Sequence, residues 1–156
     1  MKKAVMILLV CVFAFSCTTA LAEEQVRVIV NGVEVEFDQA PIIVDGRTLV
    51  PIRAVTEQIG AEVRWNGATQ TVTVLYRDTG VALQIGNSYM TARNLDTGNE
   101  RLVLLDVPPQ LYSARTLLPI RAVMEEFGCK VDWDNASKTV IIATEDYASK
   151  TIVIGE

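Results

Sequence analysis

The sequence predicts an α+β fold of two homologous units, each a small, mainly antiparallel sheet packed on one short helix. Three observations predict it. The stretch Arg47-Thr48-Leu49-Val50-Pro51-Ile52-Arg53-Ala54-Val55 returns 68 residues later as Arg115-Thr116-Leu117-Leu118-Pro119-Ile120-Arg121-Ala122-Val123. Carried outward, that offset holds without a gap from Asn31/Asn99 to Val74/Ile142, with roughly 19 of 44 pairs identical, and self-similarity at a fixed period sets architecture before any other signal. Finally, each copy holds several β-rich runs between turn dipeptides and a single short amphipathic stretch, which indicates α+β rather than a parallel βαβ sheet. The organisation expected is residues 1–22 as a leader, 23–86 as the first repeat and 87–156 as the second.

The leader is read from Lys2 and Lys3, the apolar run Ala4 to Phe15, and Ala20-Leu21-Ala22 before Glu23-Glu24, the pattern of an export signal cleaved after Ala22. The apolar run is too short to span a bilayer comfortably, so no membrane segment is expected after cleavage. A lipoprotein route through Cys17 is the weaker reading, because bulky Phe15 stands where a small residue is expected. The destination is extracytoplasmic: secreted or held at the cell envelope.

Loss of Lys2 and Lys3 makes the formal charge of −5 two units more negative. An acidic chain with no basic cluster argues against nucleic acid and anionic membrane surfaces as partners. The chain has no histidine, and only Cys129 lies outside the leader. Imidazole-based copper, zinc or iron sites and thiolate clusters are therefore excluded, and neither metal nor cofactor is expected. Cys129 stands where the first copy has Ala61, which suits a small buried apolar residue; a reactive or intermolecular thiol is the alternative.

Taken in order, Val26 to Val30, the turn Asn31-Gly32 and Val33 to Phe37 read as a hairpin with one wet face. Ile42-Ile43-Val44 is a short strand between Pro41 and Asp45-Gly46. Pro51 suits the first turn of a helix. Ile52, Val55 and Ile59 give that helix its apolar stripe, and Gly60 ends it. Glu62 to Trp65 and Thr71 to Tyr76 then form a second hairpin about Asn66-Gly67. The second copy repeats these elements through Gly128, Val131 to Trp133, Asp134-Asn135 and Thr139 to Ile142. A further apolar run follows each return strand, Val81 to Gly86 and Thr151 to Gly155. Asn87 to Gly98 is the least repetitive part, read as a link or hinge with a polar contact loop at Asp96 to Asn99.

The pattern Asn-Gly, acidic strand, Pro, Arg-Thr-Leu-Val-Pro-Ile-Arg, helix, Gly-Ala, Val-x-Trp-Asn, Thr-Val-Thr-Val is matched in both copies, at Arg47 to Arg53 with Gly60, Trp65 and Thr71-Val72, and at Arg115 to Arg121 with Gly128, Trp133 and Thr139-Val140. It resembles the copper amine oxidase N-terminal-like domain, also called the stalk domain, over nearly all of Val26 to Gly155. The resemblance implies a small antiparallel sheet against one helix per unit in exported bacterial proteins. It implies an accessory module, not the domain that holds copper or the quinone, and hence no enzyme.

Candidate residues divide into two groups. Arg47, Pro51 and Trp65, with Arg115, Pro119 and Trp133, are read as a structural junction, both tryptophans lying on the apolar face under the helix. Arg53, Arg121, Tyr89, Asp96, Asn99 and Tyr112 are the tentative binding set. For Arg53 and Arg121 the first expectation is anchoring of strand carbonyls or of Glu57 and Glu125; the alternative is a guanidinium aimed at a partner's carboxylates or a glycan. Asp38/Asp106 and Asp78/Asp146, equivalent across the copies at turns, suggest Asx capping.

Two readings of function lead: a non-catalytic binding or scaffolding module at the envelope, with a wall glycan or polymer as ligand, and a protein-interaction adaptor or inhibitor subunit. Solvent-facing tyrosines clustered in a groove would mark the first, an apolar patch or open strand edge the second. A carboxylate-dependent hydrolase is a distant third and needs two facing carboxyls in a cleft, one with its pKa raised.

Overall fold

A computed structural model describes residues 25–154; the leader, with its cleavage and lipidation readings, lies outside the described residues. The first half of the chain runs β1 (Arg27–Val30), β2 (Val33–Glu34), β3 (Ile42–Val44), β4 (Arg47–Pro51), α1 (Ile52–Ile59), β5 (Glu62–Asn66), β6 (Thr71–Tyr76) and β7 (Thr79–Gln84). The second runs β8 (Tyr89–Asn94), β9 (Glu100–Leu104), β10 (Gln110–Tyr112), β11 (Arg115–Pro119), α2 (Ile120–Glu126), β12 (Lys130–Asp134), β13 (Thr139–Ala143) and α3 (Glu145–Ile154). The sheet-rich α+β class is as expected.

The strands form three sheets, ordered β12-β13-β1-β2, β10-β11-β4-β3 and β5-β6-β7-β8-β9. The two copies of the repeated stretch meet in the middle sheet, where β4 and β11 are antiparallel neighbours. Because side chains alternate along a strand, each copy serves two cores. Val50 and Leu118 enter the main core, which also takes Val28, Val55, Leu83, Met90, Met124 and Ile142. Leu49 and Leu117 point the other way, into a small cluster with Val107.

The outer sheets do not follow the chain's division at residues 86 and 87. Strand β1 pairs in parallel with β13, while β8 and β9 extend the sheet begun by β5 to β7. The Asn87 to Gly98 segment is thus no hinge: β8 is an inner strand with Met90 and Ala92 buried, and only the Asn94–Asn99 turn projects. Nor does Thr151 to Ile154 mirror β7, for it lies in α3. β1 already occupies the β13 edge that a returning strand would use. Glu145 and Asp146 in the first turn of α3 favour a helix start through the helix dipole.

Local chemistry explains the element ends. Asn31 and Gly32 both have positive φ, the geometry of the tight hairpin turn expected there. Pro51 and Pro119 stand at the N-cap, one residue earlier than the first-turn position assigned to Pro51. Each is also the last residue of its strand, where its partner across the sheet is a leucine and a missing N–H is tolerated at the strand's end. Helices α1 and α2 close alike: Ala61 donates to the Thr56 carbonyl and Cys129 to that of Met124, satisfying last-turn acceptors.

The tryptophans need a correction. Both sit in edge strands, β5 and β12. Trp133 is half-buried against the main core, whereas Trp65 is 46% exposed and not under the helix.

Candidate functional site

A cleft of about 780 Å³ lies between the edge of the middle sheet, the β9 end and the α2–β12–β13 corner. Ile43, Arg47 and Thr48 form one wall; Val103, Leu104 and Asp106 lie at one end; Arg121, Glu125, Glu126, Asp132, Trp133, Asn135 and Lys138 complete it. That volume lies within the range of small-ligand sites. Its floor is apolar and its rim carries both charges.

Arg121 is positioned by its own fold. Its Nη1 donates to the Val131 carbonyl at 3.0 Å and lies 3.6 Å from Glu125, so helix and strand are tied as the anchoring expectation had it. Arg53, its equivalent, does neither: it is exposed on α1 and makes no hydrogen bond or ion pair with the described residues. The anchoring expectation is met at Arg121 and not at Arg53.

Three of the four turn aspartates, Asp38, Asp106 and Asp146, pair with arginines. Arg47 Nε donates to Asp106 Oδ2 at 2.6 Å, and Arg115 Nη2 donates to Asp38 Oδ2 at 2.6 Å. Asp146, with Glu145, faces Arg77, which also lies 5.1 Å over the Tyr76 ring. Asp78 accepts from Asn94 and Thr79. The sequence carried this signal, since Arg and Asp recur at one offset, but an offset does not say which copy's Asp meets which copy's Arg.

The tentative binding set is dispersed. Of its six members only Arg121 lines the cleft; Asn99 lines a smaller crevice of about 240 Å³ with Arg93, Glu100 and Glu126. Asp96 is exposed on the β8–β9 turn, Tyr89 stands at the opposite end of that hairpin, and Tyr112 ends edge strand β10. No tyrosine lines the cleft. Tyr76 instead packs edge-on against Phe127, ring centroids 5.6 Å apart. From the junction set, Arg47, Pro119 and Trp133 do line it.

Sequence reasoning missed β9. It is the outer strand of the five-stranded sheet, with Leu102 and Leu104 exposed at 69% and 67%, and Tyr89 and Thr91 paired across from them. Its alternation was legible, but not that the wet face would be the apolar one.

Among the carboxyls, Glu34, Asp38, Glu62 and Asp134 are each held below their ordinary range. For Asp38 the cause is first the hydrogen bond from Arg115; for Asp134 it is the Ser137 hydroxyl. Cys129 is buried, and burial pushes its thiol up against a smaller opposing effect of Arg77.

Three paired sheets, a mixed-charge cleft and an open apolar edge define a β-rich module. The family model described as the copper amine oxidase N-terminal domain matches residues 29–142, and the chain belongs to that family. The family is a non-catalytic, stalk-like domain. No curated protein matches the chain. Among the described residues, no helix is long and apolar enough to cross a membrane.

Proposed function

We propose that the chain is an exported, non-catalytic protein-interaction module at the bacterial envelope, acting as an adaptor or inhibitor subunit. One observation carries the reading: β9 is an open edge strand with two large apolar side chains in solvent. An unpaired edge offers a row of backbone donors and acceptors, and proteins ordinarily blunt such edges with charge or cover. Glu100 and Arg101 supply charge at one end of β9 only; Leu102 and Leu104 give a partner strand an apolar footing. Strand addition draws affinity from the main chain and specificity from alternate side chains.

The test is capture of envelope proteins by the mature chain, repeated with Leu102→Glu/Leu104→Glu. Proteins retained by the wild type and lost with the double variant support the reading. Equal capture by both chains overturns it.

A second reading has its own observation. Trp133 stands half-buried in the wall of a ligand-sized cleft, and an aromatic face with a polar rim suits the C–H face and hydroxyls of a sugar. Here the ligand is a wall glycan or polymer. Co-sedimentation with purified wall, lost in Trp133→Ala but kept in Leu102→Glu, which lies outside the cleft lining, distinguishes the two.

A further inference from the structure

Two open strand edges face the cleft, and the hydrogen-bond pattern fixes which residues they offer. The Leu105 N–H donates to the Ser88 carbonyl at 2.8 Å, and the Asn94 N–H to that of Asn99 at 2.9 Å. Inward and outward residues alternate along an antiparallel pair. Arg101 and Val103 therefore bond to β8, while the N–H and C=O of Glu100, Leu102 and Leu104 point away from the sheet. On β12, the Val131 carbonyl is turned outward to Arg121. Ile142, across from Val131, spends its own carbonyl on Asn31, on the β1 side. Two residues on, the backbone groups of Trp133 thus also face away from β13. Leu104, Val131 and Trp133 all line the cleft.

Helix α2 is the floor between these edges. Its Arg121, Ala122, Glu125 and Glu126 line the cleft. Glu126 accepts from Arg101 of β9, and Arg121 donates to Val131 of β12. Arg101 and Val103 share one face of β9, so that face looks onto α2, while Leu102 and Leu104 lie on the other, in solvent. The carboxylates of the cleft are already matched: Asp106 holds Arg47, Glu125 holds Arg121, Glu126 holds Arg101 and Asp132 holds Lys130. Lys138 donates to the Asn135 side-chain oxygen at 3.0 Å. Such a lining rewards no strong charge on a ligand, and Val103, Leu104, Ala122 and Trp133 offer it apolar surface.

We infer that the cleft is the second half of the β9 site: its ligand is an uncharged, extended peptide segment that adds to β9 as a strand and sends alternate side chains over α2 toward Trp133. The inference rests on the β9 reading above and names the partner's chemistry. Strand addition uses both halves at once. The peptide backbone pairs with the outward groups of Leu102 and Leu104. Because side chains alternate along a strand, one set lies beside the exposed leucines, and the other falls on the Arg101/Val103 face, into the cleft. A glycan has no row of amide donors and acceptors spaced to match that edge, so it leaves the β9 backbone unused.

The experiment is titration of the mature chain carrying Trp65→Phe, which leaves Trp133 as its sole tryptophan, with a capped Val-Thr-Val-Thr-Val-Thr peptide. The expected result is a saturable shift of Trp133 emission. It is lost with the same peptide N-methylated at every residue, and lost in Leu102→Glu, an exposed β9 position outside the cleft lining. N-methylation keeps the side chains and removes the backbone donors, so equal shifts with both peptides overturn the inference. A shift given by a tetramer of N-acetylglucosamine and not by the peptide overturns it in favour of a glycan. Sedimentation as a two-chain particle that Leu102→Glu dissolves overturns it by putting a second copy on the edge. Absence of peptide binding, with envelope proteins still lost in Leu102→Glu/Leu104→Glu, overturns the inference and leaves the β9 reading standing. Absence of peptide binding with equal capture by both chains removes both. Circular dichroism and an unchanged melting temperature for Leu102→Glu exclude loss of fold as the cause.

Discussion

Arg115 holds Asp38 across the molecule, its Nε and Nη2 both donating to Oδ2 at 2.8 and 2.6 Å. The equivalent pair is Arg47 with Asp106. In each case the arginine of one copy takes the aspartate of the other, so the repeats are clasped reciprocally on either side of the β4–β11 strand pair. This contact is between copies, which the strand-to-helix reading of the repeated stretch did not include.

Charge exchange tests the clasp. Asp38→Arg and Arg115→Asp each lower the melting temperature, and the double variant recovers most of the loss. Both side chains are largely in solvent, so the effect is small and shrinks at high salt, as exposed pairs do. Thermal melts at two ionic strengths provide the measurement.

Acid sensitivity follows from the same pairs. Asp38, Glu34, Glu62 and Asp134 have folded pKa values below their unfolded ones. The stability they contribute is present above the unfolded values, near 3.8 for Asp and 4.5 for Glu, and is lost as pH falls through the lower folded values. Stability near neutrality is therefore flat with respect to these groups, and it declines below about pH 4.5. Denaturant midpoints across pH 2.5 to 7 check the slope.

At the β4–β11 pair itself the energetics are apolar. Leu118 is fully buried in the main core, and Leu118→Ala is expected to cost about 2–5 kcal/mol through lost burial and the cavity left behind. Leu117→Ala opens the smaller cluster with Leu49 and Val107, where fewer neighbours surround the gap, and falls at the lower end of that range. Urea unfolding ranks them.

Gly32→Ala should destabilise more than Gly46→Ala. Both glycines have positive φ, but a Cβ at Gly32 would stand 2.8 Å from the Tyr147 hydroxyl, while one at Gly46 meets nothing within 4 Å. Gly46→Ala carries the left-handed backbone penalty alone, about 1–2 kcal/mol. Gly32→Ala adds displacement of Tyr147 where α3 meets the β1–β2 turn. Melting temperatures of the two variants decide the order.

Cys129 is expected to resist alkylation in the folded chain, since burial both covers the thiol and raises its pKa. Cys129→Ala, the residue already present at position 61, should cost about 1 kcal/mol. Rapid labelling without denaturant would contradict both statements.

Much of the fold was legible locally. The Asn31-Gly32 turn, the stripe of Ile52, Val55 and Ile59, and the helix stops at Gly60 and Gly128 rest on interactions within a few residues, which a sequence displays directly. Trp65, Arg53 and β9 were not legible in that way. Whether an indole is covered, a guanidinium finds a carbonyl, or a leucine faces solvent depends on elements far away in the chain.

By itself, then, the sequence determined the α+β class, the family and the identity of most short elements, and displayed the 68-residue self-similarity, because periodicity, turn chemistry and capping are local. Only the tertiary structure decided that the repeated strands pair with each other, that β1 closes against β13, and that Asp38 belongs to Arg115. Those choices are made by long-range strand pairing and by burial of one core shared between the copies, and no offset in the chain encodes which partner is nearest in space.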